Sequence, residues 1–168
     1  MSAILYEQIR LAFPELKDVP LPDEPELFSN FEAWINQLYP NLMRLDGLDI
    51  QQNGIAECHR LQQFQIDWNE LKNHIQDELA TFHDMYESAD LNVEYEEDQL
   101  HAYDFEFTYK VILSNIQMFV EPYDLVLLAI EHDNPYWMLV PANDELIQNI
   151  THHFNRVFTA SEPMVRMD

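Results

Sequence analysis

The chain has 168 residues, with 31 Asp and Glu against 8 Lys and Arg, for a formal charge of −23 at pH 7. That imbalance argues against binding nucleic acid or anionic membrane directly and favours basic protein surfaces. An apolar fraction of 47% excludes wholesale disorder, two glycines exclude Gly-rich phosphate loops, and one cysteine excludes an internal disulfide or a thiolate-rich metal site.

In chain order, Leu5, Ile9, Ala12 and Phe13 repeat at helical spacing over residues 2–13, and Pro14 ends that helix. Pro14 to Phe28 holds four prolines and reads as an extended tether over the surface. Ser29 and Glu32 have capping-box spacing before a short helix with Phe31, Trp34, Ile35 and Leu38 on its inner face. Residues 41–53, with Asp46-Gly47 and Asn53-Gly54, predict a loop. Ile55, Cys58 and Leu61 form a weak helical pattern. From Asp67 to Tyr86 the signal is strong: Asp67 and Glu70 cap a helix whose stripe is Trp68, Leu71, Ile75, Leu79, Phe82 and Tyr86.

The period changes near Asp90. Leu91, Val93 and Tyr95 alternate with polar residues, Glu97-Asp98-Gln99 offers a turn, and Leu100 to Phe105 alternates again, which predicts a hairpin. Residues 106–120 fit both periods, and Tyr109, Ile112, Leu113, Ile116, Phe119 and Val120 favour a helix ending at Pro122. Asp124 to Glu131 and Tyr136 to Val140 predict a second hairpin, and residues 143–158 a last helix burying Leu146, Ile147, Ile150, Phe154 and Val157. The tail from Ser161 reads as frayed. The fold class expected is α+β: N-terminal helices packed with an antiparallel sheet of two hairpins and a C-terminal helix. A single domain over residues 1–168 is expected, subdivided into a helical N-terminal region (residues 1–88) and an α+β region (residues 89–160).

Charge patterning is the most informative feature. Eleven acids fall between Lys72 and Lys110 with no cation among them: Asp77, Glu78, Asp84, Glu87, Asp90, Glu94, Glu96, Glu97, Asp98, Asp104 and Glu106. On a strand, Glu94 and Glu96 would share the face opposite Val93 and Tyr95. Such a face either solubilises the chain or docks a basic partner whose approach it steers. Rim charges act mainly on association rate, so a tight complex also needs a desolvated anchor, for which Tyr95, Tyr103 and Trp137 are the candidates. The partner-binding set expected is therefore Glu94, Tyr95, Glu96, Glu97, Asp98, Tyr103, Asp104 and Trp137.

Catalytic patterns are absent from the sequence. No glycine interrupts the acids as a calcium loop requires, none of the seven histidines has HExxH spacing, and no serine sits in G-x-S-x-G. Cys58 and His59 are adjacent, so on a helix they do not face each other. The expectation is a non-enzymatic protein with no cofactor and no metal. The longest apolar run, Leu125 to Ile130, falls far short of the about 20 residues that cross a bilayer. With no leader-like start, a soluble, cytoplasmic protein without membrane contact is expected.

The stretch DLVLLAIEHDNPYWMLVP followed by NDELIQNITHHF, residues 124–154, resembles the strand, Asp-containing turn, strand and closing helix of small acidic immunity proteins from bacterial toxin–immunity systems. That resemblance implies a protein that binds a cognate toxin domain and blocks its active site through an acidic face. Two alternatives stand beside it. One is an acidic DNA-mimic inhibitor of the anti-restriction or anti-CRISPR type, and the other a carboxylate- or metal-dependent enzyme.

Overall fold

A computed structural model describes residues 2–45, 54–88, 97–130, 135–159 and 163–167, with side chains for all of these except 82–88 and 97–106. Its centre is a pair of apolar strands, β2 (Leu125–Ile130) and β3 (Tyr136–Pro141), joined antiparallel with Leu127 opposite Leu139 and Leu128 opposite Met138. Every residue of β2 is buried. A strand with one wet face alternates apolar and polar residues, so an unbroken apolar run requires cover on both faces.

That cover comes from helices. On one face Val126, Leu128, Ile130, Met138 and Val140 pack against α1 (Ser2–Ala12), α2 (Phe28–Ile35) and α6 (Asp144–Val157), through Leu5, Ile9, Phe31, Ile35, Ile147, Ile150 and Phe154. On the other, Leu125, Leu127, Ala129, Trp137 and Leu139 pack against α4 (Trp68–Ser88) and α5 (Glu97–Val120), through Leu71, Ile75, Ile112 and Ile116. A short α3 (His59–Gln63) adds Leu61 to this second layer. The architecture is α+β, with six α-helices and a four-stranded antiparallel sheet among the described residues.

The outer strands are short. Strand β1 (Leu42–Arg44) pairs with β3, and β4 (Met164–Arg166) pairs with β2, giving the order β1-β3-β2-β4. Both correct the sequence reading, which predicts a loop over residues 41–53 and a frayed tail. Three residues cannot display a period, and these strands exist because β2 and β3 present open edges. The sheet thus draws strands from both sides of residue 88.

Elements with a long apolar stripe match their expectation. Leu5, Ile9, Ala12 and Phe13 are fully buried, as are Leu71 and Ile75. Asp67 Oδ1 accepts from the backbone N–H of Asn69 and Glu70, the cap predicted for α4. Residues 106–120 are helical, as expected, but the helix begins at Glu97, so the strand predicted over Leu100 to Phe105 is helix instead. The other predicted strand of that hairpin, with Leu91, Val93 and Tyr95, lies outside the described residues. Leu100, Tyr103 and Phe107 also share a helical spacing, and one continuous helix satisfies its own backbone where a lone hairpin would not.

Two local expectations are also corrected. Helix α2 starts at Phe28 with Leu27 as its unassisted N-cap, so Ser29 and Glu32 do not form a capping box. The Pro-rich segment is no loose tether at its start: Pro14–Leu16 is a 3-10 turn, and Leu16 and Val19 are buried. Arg10 pins it, donating from Nη2 to the Val19 carbonyl at 2.6 Å and from Nε to the Leu16 carbonyl at 3.3 Å.

Candidate functional site

Helices α4 and α5 pack antiparallel and leave an open groove of about 480 Å³ between them. Its lining is His74, Asp77, Glu78 and Thr81 from α4, and Ser114, Asn115 and Met118 from α5. The α4 set falls at i, i+3, i+4 and i+7, which places all four on one helical face beside the buried Leu71–Ile75 stripe. Asn115 is buried, and its Nδ2 donates to Glu78 Oε2 at 2.6 Å and to the Val111 carbonyl at 2.9 Å. His74 meets the Phe119 ring edge-on, with centroids 5.2 Å apart. Met118 is 49% exposed at the rim.

The groove's lining contains two carboxylates and no Lys or Arg. Several cations of the chain are engaged elsewhere. Arg10 holds backbone carbonyls, Arg44 lies over the Tyr136 ring, and Arg166 meets Asp144 at 2.9 Å. Arg60 is buried, donates to the Ala12 carbonyl and lies 5.1 Å from the Phe13 ring centroid.

Of the residues singled out in the sequence, Glu94, Tyr95 and Glu96 lie outside the described residues. Glu97, Asp98, Tyr103 and Asp104 lie in the opening turns of α5, on a helix and not on a hairpin, and their side chains fall outside the described set. Trp137 is 1% exposed and belongs to the core beneath α4 and α5. As a surface anchor it is therefore corrected: its place on β3, opposite Ala129, turns the indole inward. Asp77 and Glu78, the first two acids of the run, line the groove. Sequence reasoning missed His74, Thr81, Ser114, Asn115 and Met118 as their neighbours; the α4 members were legible in the helical spacing, but their pairing with α5 was not.

Cys58 is fully buried, and burial pushes its thiol up to about 11, against weaker opposing contributions from the Leu61 and Arg60 backbone and the Arg60 charge. A thiol held that high is a packing group and a poor nucleophile at neutral pH. Among the described residues, no cluster of three His, Cys, Asp or Glu side chains could hold a metal ion, and no helix is long and apolar enough to cross a membrane. Comparison with family models, curated proteins and solved structures finds no match to this chain.

Proposed function

We propose that the chain is a non-enzymatic inhibitory binding protein, of the immunity-protein kind, whose acidic surface docks a basic partner domain and covers its active site. The observation that carries this reading is the groove between α4 and α5, where Asp77 and Glu78 stand beside His74 with no Lys or Arg in the lining. It begins an eleven-acid run that continues through Glu94, Glu96, Glu97, Asp98 and Asp104 without a Lys or Arg. Like charges this near one another in sequence repel, and a basic partner would relieve that repulsion on binding while being steered toward it.

The test begins by capturing the partner from the native host with the full-length chain, then measuring that partner's own activity with equimolar chain added. Inhibition at a one-to-one ratio is expected. Replacing Asp77, Glu94, Glu96, Glu97 and Asp98 by their amides should slow association about tenfold or more at low salt, with dissociation changed less. A partner that stays fully active in the complex overturns the inhibitory reading. An association rate unchanged across a salt series overturns the acidic surface as the site. A captured partner that is a nucleic-acid-binding protein released by competing duplex DNA would move the assignment to a DNA mimic.

A further inference from the structure

The two edge strands are closed by the same device. At the β1 edge, Asn36 sits just past the end of α2 and faces Leu42: its Oδ1 accepts from the Leu42 N–H at 2.8 Å and its Nδ2 donates to the Leu42 carbonyl at 2.8 Å. The same Oδ1 also accepts from the Asn41 N–H at 2.9 Å. At the β4 edge, Asn155 of α6 faces Met164: Oδ1 accepts from the Met164 N–H at 2.7 Å and Nδ2 donates to its carbonyl at 3.2 Å.

In an antiparallel ladder the N–H and C=O of one residue point to the same side, and alternate residues point to opposite sides. The Leu45 N–H bonds the Pro135 carbonyl, which places the odd residues of β1 toward β3 and Leu42 outward. Likewise the Met167 N–H bonds the Leu127 carbonyl, so Met164 points away from β2. Each asparagine amide therefore occupies the position that one residue of an added strand would take. A side-chain amide can present an acceptor and a donor to the same side, as the C=O and N–H of one strand residue do, which is why asparagine fits here.

We propose that Asn36 and Asn155 are edge plugs that keep a second copy of this chain from adding a strand to either end of the sheet. An unprotected edge is a template for pairing with another chain, and an identical edge is the partner always present at the same concentration. Strands of three residues limit what an incoming strand gains, and the plugs occupy the outward pair of hydrogen-bonding groups on the first residue of each strand. This inference is independent of the acidic surface.

Sedimentation velocity over a concentration series tests it on the full-length chain, with Asn36→Ala, Asn155→Ala and the double variant. Each single variant should dimerise at a concentration about tenfold or more below that of the parent, while keeping its helical circular dichroism. The double variant, open at both edges, should form longer assemblies. Asn30→Ala, which removes a side-chain bond to the Glu24 carbonyl away from the sheet, should behave as the parent. Where an alanine variant unfolds, Asn36→Ser and Asn155→Ser decide: they stay polar and uncharged, are too short to meet both backbone groups, and should still self-associate more than the parent. Folded Ala or Ser variants that remain as monomeric as the parent overturn the proposal, as does fast hydrogen exchange of the Leu42 and Met164 amides in the parent chain.

Discussion

Asn115 Nδ2 and Glu78 Oε2 meet at 2.6 Å across the α4–α5 interface, with the asparagine buried and the glutamate at the groove wall. A charged acceptor makes such a bond stronger than a neutral pair, and Asn115 is buried, so losing its partner is costly. Asn115→Ala should therefore destabilise the fold by about 1–3 kcal/mol in urea unfolding. Glu78→Gln keeps an acceptor of the same shape and should cost less. Equal losses for the two variants would mean that the charge on Glu78, and not merely an acceptor there, holds the helices together.

Tyr6 contributes an alkaline-sensitive contact to the first helical layer. Its ring is fully buried, edge-on to Trp34 with centroids 4.6 Å apart, and its hydroxyl donates to the Pro25 carbonyl at 3.0 Å. Burial, aided by the Glu26 charge, pushes its ionisation up to about 12. The unfolded chain ionises this group near pH 10, so its contribution is complete below that and is lost as pH rises from about 10 to 12. Tyr6→Phe should cost about 1 kcal/mol at pH 7 and show a shallower alkaline decline than the parent, measured by thermal melts across pH.

Arg60 ties α3 to the end of α1. It donates to the Ala12 carbonyl and to Gln63 Oε1, the latter at 3.2 Å, and its guanidinium lies over Phe13. Arg60→Ala should destabilise by about 2–4 kcal/mol, since a buried carbonyl and an aromatic face both lose their partner. Arg60→Lys should recover only some of this in denaturant midpoints, because an ammonium cannot lie flat on the ring while reaching the carbonyl.

His153 sets an acid-side slope. Burial first, then the neighbouring His152, Arg156 and the amino terminus, lower its proton affinity in the folded chain. The unfolded histidine takes up a proton near pH 6.5, so this site's contribution is complete above that value and lost as pH falls toward the lower folded value. His153→Gln should flatten the stability profile just below pH 6.5. An unchanged slope would place the acid sensitivity on other groups.

What was legible in the sequence follows the length of each signal. Helix α6 carries Ile147, Ile150 and Phe154 over four turns with Asn143 as its cap, accepting from the Leu146 N–H, and the sequence predicts nearly its full span. The β2–β3 hairpin is equally clear, because two apolar runs flank a polar turn containing Pro135. Leu100 to Phe105 was misleading because its few residues fit both periods, and the choice fell to the continuous helix that contains them. The groove was half visible: His74, Asp77, Glu78 and Thr81 share a face by spacing alone, whereas Ser114, Asn115 and Met118 join them only through packing. The edge asparagines carry no pattern at all, since a side-chain amide that imitates a strand residue is chosen by the strand it meets in space.

The sheet's connectivity has a consequence for the newborn chain. Leu42 pairs with Met138, and the apolar stripe of α1 is closed by α6 and by strands that are translated late. While the ribosome is still making the middle of the protein, Leu5, Ile9, Phe13 and Phe31 have no floor to rest on. Closing loops of that length carries an entropy cost that the few α1–α2 contacts do not repay, so the four-stranded sheet completes only after synthesis has passed β4. Until then those apolar helix faces lack their cover, and like charge on a chain of net −23 opposes contact between copies.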